Sequence, residues 1–520
     1  MELPPWTSLL GAVLATALFL VVTLRRMRMR SGARKYYNLP PGPRLWPVIG
    51  NLNLIGELPH RSVRELSARY GPLMSLRFGS VPVVVGSSVD AARFILKTHD
   101  VSFIDRPKMA AGRYTAYNFS DLVWSPYGAY WRQARKLWQS KLFSAKQLKL
   151  QEHVRHEELR AMLRDLRGRT VVQLREHLLM LSLNVISRVA LGRKYVDEGA
   201  TNGGSPTTPE EFRWMVDELF LLNGVLNIGD MIPWLDWLDL QGYVRRMKRL
   251  GKMFDRFLEH VVEEHEERRR REGDKFVPTD MVDLLLELAD DPSLEVPIER
   301  DGVKGFALDF IAGGTDTSTV VVEWAMSELL RNPKHLAKAV DELDRVIGHD
   351  RLVQEGDIPN LPYIEAIVKE TMRLHPVTPM LAPRLSREDT CMDGYDIPAG
   401  TLVFVNVWAI GRDPAVWGSD TAEEFWPDRF VGSGVDVKGQ HLELLPFGSG
   451  RRMCPGYGLG LKMVQVTLAN LLHAFVWRLP DGVAAEELSM EEKYGLAVPR
   501  KVPLEAAIEP KLPAHLYTGA

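Results

Sequence analysis

Cysteine is nearly absent, with Cys391 and Cys454 the two in 520 residues. Two thiols cannot build a disulfide framework, so the chain reads as a core-stabilised protein of a reducing compartment. Excess charge of one sign is missing too. Basic residues number 65 against 67 acidic, a net charge of −2, and no RNA-binding or zinc-finger pattern occurs, which argues against nucleic acid and for small molecules. There is no dinucleotide fingerprint: Gly456-Tyr457-Gly458-Leu459-Gly460 follows a cysteine-bearing loop, not a strand, and lacks the required spacing. Nor is there a zinc helix, because His153 and His156 lie in a charged stretch without His-Glu-x-x-His spacing. Internal repeats and low-complexity segments are lacking. What is present is an enzyme-sized chain, 45% hydrophobic, able to bury a core around a large ligand.

Charge also vanishes from Trp6 to Leu24, a stretch that as helix reaches about 28 Å against a hydrocarbon core of about 30 Å. Arg25, Arg26, Arg28, Arg30, Arg34 and Lys35 follow it and no basic residue precedes it. The positive-inside rule then puts the following chain in the cytosol, a signal-anchor arrangement; a cleavable signal would carry its positive charge ahead of the apolar run. The expected organisation is an anchor over 1–25, a basic stretch and proline-rich segment over 26–50, and a catalytic domain over 51–520. Pro40, Pro41, Pro43 and Pro47 exclude helix; the segment is either a stiff hinge or an ordinary linker. The Asn118-Phe119-Ser120 sequon is left unused by a cytosolic orientation.

β-Branched alternation around Gly79 predicts a hairpin between Leu73 and Val85, and Thr401 to Val407, after Pro398-Ala399-Gly400, predicts a later strand. Most of the chain between them has helical periodicity, so the fold class is mainly α with small β-sheets. Composition makes 199–209 a surface loop and the charge run 263–275 a solvated helix face. Ile232-Pro233-Trp234-Leu235 either dips into a membrane interface or packs inward.

The densest chemistry lies in Phe447-Gly448-Ser449-Gly450-Arg451-Arg452-Met453-Cys454-Pro455-Gly456, just before an apolar helical run. A lone cysteine on a glycine-rich loop that opens a helix has its thiolate stabilised by the helix N-terminus and nearby amides, which lowers its pKa. Glycines such as Gly450 and Gly456 let backbone approach a flat macrocycle. Arg452 can pair with a haem propionate while Phe447 shields the ligand side. Cys454 is therefore read as the thiolate ligand of a haem iron, and Cys391, near a turn, as an ordinary thiol. Upstream, Phe306 to Ser318 is an apolar helix interrupted by Gly313-Gly314. Each glycine costs about 1 kcal/mol against alanine in a helix interior, which predicts a local opening of the hydrogen-bond ladder. Asp316 and Thr317 beside it offer an acid and a hydroxyl for proton delivery; the alternative is that Thr317 bonds back to a carbonyl.

In Phe447, Gly450, Arg452, Cys454 and Gly456 the chain resembles the haem-binding signature of the cytochrome P450 family. The resemblance covers nearly the whole chain, in the order expected of a plant endoplasmic-reticulum member. It implies a P450 fold preceded by one transmembrane helix, haem b with an axial thiolate from Cys454, and an NADPH- and O2-dependent monooxygenase. It further implies NADPH-cytochrome P450 reductase as electron donor and a single-pass endoplasmic-reticulum location with the catalytic domain cytosolic. By resemblance Glu370 and Arg373 lock Arg429, with Asp428 standing where relatives carry glutamate. Gly314, Asp316 and Thr317 belong to the oxygen-activation groove, and Trp131, Arg135 and Arg384 bind haem propionates. The Trp131–Arg135 pair also reads as an amphipathic helix face with a snorkelling arginine. Lys136, Lys141 and Arg451 form either a basic docking face or a merely solvated one.

The pocket wall is expected from 103–127, 219–225, 306–313, 377–381 and 496–498, largely apolar and suited to a lipophilic substrate. The whole sequence is most similar to grass relatives of the flavonoid 3′-hydroxylases, among them enzymes that cleave tertiary terpene alcohols such as geranyllinalool and nerolidol to homoterpenes. That cleavage is the leading expectation, with flavonoid B-ring 3′-hydroxylation as the alternative. A peroxide-isomerising haem enzyme or a haem sensor would have less use for Thr317 and a basic docking face.

Overall fold

The computed structural model describes residues 37–195 and 207–518, with Thr16 alone ahead of them. The anchor and basic stretch expected through residue 36 and most of the 199–209 loop lie outside the described residues. Among those described, no helix is long and apolar enough to cross a membrane.

The strands are β1 (Leu73–Phe78), β2 (Val81–Gly86), β3 (Val171–Gln173), β4 (Arg384–Leu385), β5 (Thr390–Met392), β6 (Tyr395–Ile397), β7 (Leu402–Val405), β8 (Phe475–Arg478) and β9 (Glu505–Pro510). They pair as β1-β2-β7-β4, β3-β9-β8 and β5-β6. The expected hairpin is β1-β2, antiparallel and turned at Gly79, whose φ is +56°. The expected later strand is β7, parallel to β2. It stops at Val405, short of residue 407, because the Asn406 side chain accepts from the Ala409 N–H and caps a helical turn over Val407–Ile410. The proline-rich stretch over residues 40–50 is fastened to the first sheet. Pro40 and Pro41 carbonyls accept from Ser75 of β1 at 2.7 and 2.9 Å, and Gly50 bridges Phe78.

The helices that shape the interior are α1 (Pro59–Tyr70), α2 (Ala129–Leu137), α3 (Leu174–Leu191), α4 (Pro209–Gly224), α5 (Tyr243–Glu272), α6 (Arg300–Arg331), α7 (Pro362–Leu374) and α8 (Tyr457–Ala474). α6, 32 residues long, packs against α3, α7 and α8. Apolar residues cover it all round, with Phe306, Ala307, Val320, Trp324 and Met326 at most 1% exposed, the mark of a helix inside the core. α5 differs. Phe254, Phe257, Val261 and Val262 face inward, while its charged end carries the run that continues into a turn over Gly273–Lys275.

On α7, Glu370 and Arg373 are wholly buried and bonded at 2.6 and 2.8 Å, and Arg429 reaches the same carboxylate at 3.1 Å. Arg373 also donates to the Gly411, Ala422 and Glu424 carbonyls. This network fastens α7 to the segment leading into the cysteine loop. Asp428 stays outside it, paired with Lys338.

Candidate active site

Cys454 reaches the interior through backbone geometry. Gly448 and Gly450 adopt φ of +69° and +72°, the left-handed region that side-chain-bearing residues enter only with strain. The turn closes by Met453 N–H to the Gly450 carbonyl at 3.1 Å and Cys454 N–H to the Phe447 carbonyl at 3.0 Å. α8 begins three residues later. The Gly456 N–H approaches the sulfur and Arg135 lies near it, and both favour a thiolate, yet burial is the larger cause and pushes the thiol up from its ordinary value. The pKa lowering expected from the helix N-terminus is thus outweighed by desolvation. A coordinated cation deprotonates such a thiol outright.

Cys454 opens onto a cavity of about 330 Å³. Phe447, Arg452 and Gly456 line it from the cysteine loop, Trp131 and Arg135 from α2, Arg384 from β4, and Thr317 from α6. Two predicted residues do not line it. A Cβ on Gly450 would sit 2.2 Å from the Leu96 carbonyl oxygen, so this glycine serves a backbone-to-backbone approach within the protein instead of making room for a macrocycle. Asp316 is turned away among other charged residues, Asp217, Arg175, Glu323 and Lys493.

One end of the cavity is strongly basic. Arg452 donates to the Ile104, Leu122 and Ser125 carbonyls at 3.1, 3.2 and 2.7 Å and lies 4.3 Å over the Trp131 ring. Arg384 pairs with Asp100 at 3.0 Å. Arg106, absent from the sequence reading because no local pattern marks it, donates to the Val123, Ala382 and Pro383 carbonyls. Burial depresses these guanidinium groups, and repulsion from neighbouring arginines adds to it for Arg106 and Arg452, the latter pushed down to about 9. Arg135 has no ion-pair or hydrogen-bond partner among the described residues, and the buried Trp138 N–H on the same cavity lacks an acceptor. A buried thiol, an apolar chamber and a cluster of cations with one guanidinium unpaired fit a haem whose anionic propionates lie at the basic end.

The facing wall belongs to α6, which runs unbroken through its two glycines. The expected gap in the helix is therefore absent, and the reasons for the glycines are steric. A Cβ at Gly314 would lie 2.3 Å from Ile186 Cδ1 of α3, whereas at Gly313 it would meet nothing within 4 Å and project into open space. Thr317 donates to the Gly313 carbonyl at 2.8 Å, the back-bonded geometry weighed as the alternative. Its hydroxyl still lines the cavity. Burial and Asp217 raise the Asp316 carboxyl to about 7, so it exchanges protons near neutrality.

The remaining lining is apolar, including Leu122, Ile186, Phe310, Val377, Leu381 and Leu496. A second cavity of about 100 Å³ shares Thr378, Leu381 and Leu496 with the first and holds Gly224 and Val225. The 219–225 stretch thus reaches only this outer chamber. Asp309 is the acid that the sequence reading passed over. It lines the main cavity, and its Oδ2 accepts the Leu122 N–H at 2.7 Å.

The family profile described as Cytochrome P450 matches residues 40–503. The chain is 53% identical to a trimethyltridecatetraene synthase of Zea mays, covering 98% of this chain and 95% of the relative. It is 51% identical to a dimethylnonatriene synthase of Zea mays, covering 99% of each. A flavonoid 3′-monooxygenase of Petunia hybrida is 43% identical across 98% of this chain and all of the relative. Among solved structures, a zebra fish cytochrome P450 described with abiraterone superposes with a TM-score of 0.72 at 25% identity, covering 87% of this chain and all of the other.

Proposed function

Because the chain belongs to the cytochrome P450 family, whose monooxygenases carry a haem-thiolate iron and draw electrons from a redox partner, we propose that it cleaves tertiary terpene alcohols, geranyllinalool or nerolidol, to homoterpenes. The observation that carries this reading is identity of 53% and 51% along nearly the full length to two homoterpene-named synthases, against 43% for the Petunia flavonoid 3′-monooxygenase. The apolar chamber suits a long hydrocarbon chain, for which burial contributes about 25 cal/mol per Å².

Cys454 would hold the haem iron and Arg135, Arg384 and Arg452 would pair with its propionates; when bound, the haem would supply reductive activation of dioxygen, which thiolate electron density favours. The protein's own residues do the rest. Gly313 leaves room beside the cavity, and Thr317 holds a hydroxyl there. Asp316, next to Thr317 and off the cavity, carries a proton below about pH 7 and lies among Asp217, Arg175, Glu323 and Lys493. Apolar side chains exclude water from the remainder.

NADPH-cytochrome P450 reductase is the proposed donor, meeting a face that carries Lys136 and Lys141; Arg451 is partly engaged by Asp100 at 3.0 Å. The proposed address is the endoplasmic-reticulum membrane, with one span and the catalytic domain cytosolic. Exposed Trp234 and Trp237, beside a buried Ile232, support a surface that rests in the interface. Ile232 itself packs under the β1-β2 turn, near Gly79, so the inward reading holds for that residue and the interfacial one is proposed for Trp234.

Feeding geranyllinalool, nerolidol and naringenin separately to yeast microsomes that hold the full chain and a plant reductase tests the function. NADPH-dependent homoterpene from either alcohol is the expected result. A hydroxylated flavanone with no homoterpene would replace this reading with the flavonoid alternative.

A further inference from the structure

Beside the cavity two acids meet where one would be expensive. Asp309 of α6, on the cavity wall, and Asp121, in the loop ahead of α2, lie close enough to act on each other, and burial raises both carboxyls, Asp121 to about 7 and Asp309 well above its ordinary value. Two neighbouring carboxylates repel, which favours a proton on the pair. Each acid also grips the loop backbone. Asp309 Oδ2 accepts the Leu122 N–H at 2.7 Å, and Asp121 Oδ1 accepts the Trp124 N–H at 2.9 Å.

Leu122 is where these contacts converge on the basic end. Its carbonyl accepts from Trp131 Nε1 at 3.1 Å and Arg452 Nη1 at 3.2 Å. One residue therefore joins α6 through its N–H to α2 and the cysteine loop through its oxygen. The loop it belongs to does not hold itself: Tyr117, Asn118 and Phe119, none of them glycine, have φ of +46°, +52° and +68°, a strained run that persists only when its surroundings impose it.

We propose that Asp309 is a positioning residue: by accepting the Leu122 N–H it clamps Leu122 to α6 and so fixes Arg452 and Trp131 at the basic end of the cavity. This assignment is independent of which substrate the enzyme takes. It predicts that the clamp governs haem retention, a property that a wall residue with no link to the basic end would leave unchanged.

The test is the rate of haem transfer from the full-length holoenzyme to excess apomyoglobin. Asp309→Leu removes the clamp and should release haem about tenfold faster, the scale of losing an outer-shell partner. Asp309→Asn keeps an acceptor for Leu122 N–H and a donor for Asp121, and should stay within about twofold of the parent. Parent-like retention in Asp309→Leu, or release by Asp309→Asn as fast as by Asp309→Leu, would overturn the proposal.

If Asp309→Leu accumulates without haem, the parent and Asp309→Asn are compared from about pH 6 to about pH 9. The charged and titratable groups facing the pair are Arg106, Arg452 and, from α2, Tyr130. As pH rises and both acids ionise, their repulsion should speed haem release severalfold more in the parent than in Asp309→Asn. Equal pH dependence in the two proteins would reject the clamp.

Discussion

The cysteine loop and helix α6 face each other across one cavity, and each uses glycine for a different purpose. In the loop, Gly448 and Gly450 supply left-handed backbone that carries Cys454 to the interior. In α6 the backbone is ordinary and the missing Cβ matters: Gly314 admits Ile186, and Gly313 leaves space in the cavity. One wall is built by conformation and the other by volume. That difference separates what a sequence motif displays from what requires a packed neighbour.

The largest effect expected is at the sulfur. Cys454→Ala should abolish both the thiolate-type band of the carbon monoxide difference spectrum and turnover, whereas Thr317→Ala on α6 should leave that band in place. A retained band would dissolve the distinction between the walls.

On α6, Thr317→Ala should lower product formed per NADPH by about tenfold to a hundredfold while NADPH oxidation continues, the magnitude of a lost proton-delivery group. Asp316 sharpens this through pH. Its carboxyl bears a proton below about 7, so the contribution declines as pH rises through that value, and Asp316→Asn should flatten the profile there. A profile identical to the parent would separate Asp316 from proton delivery.

The two kinds of glycine are distinguished by rescue. Gly450→Ala and Gly314→Ala should each destabilise by about 1–3 kcal/mol in denaturant titrations. Ile186→Ala should restore only Gly314→Ala, because it opens the volume that the new Cβ needs, and a double-mutant cycle measures that coupling. Independence of Gly314 from Ile186 would contradict the steric account. The smallest effect belongs to Gly313→Ala, which meets no atom. It should be neutral or stabilise by up to about 1 kcal/mol, while adding a methyl group to the cavity that shows in substrate KM.

The same contrast explains what the sequence displays. The β1-β2 hairpin and the cysteine loop depend on neighbours a few residues away, and local pattern reveals them; β7 pairs with the distant β2 but shows itself through its apolar run after a turn. Strand β3 pairs with β9 through Val171 and Ala507, and three residues carry too little periodicity to show it. Asp316 and Thr317 were legible as residue types. That Thr317 lines the cavity and Asp316 does not follows only from how α6 is rotated against α3 and α4. Asp309 was missed because its meaning lies in Asp121 and Leu122, distant in the chain and adjacent in space. The anticipated opening of the hydrogen-bond ladder at Gly313-Gly314 is absent because glycine was weighed as a helix breaker, whereas at Gly314 it is a place for another side chain.

The most direct test of the functional account is competition in one microsomal preparation. With reductase and NADPH supplied, kcat/KM for geranyllinalool or nerolidol should exceed that for naringenin, with homoterpene as the product. A higher kcat/KM for naringenin, with 3′-hydroxylated flavanone as the product, would contradict it.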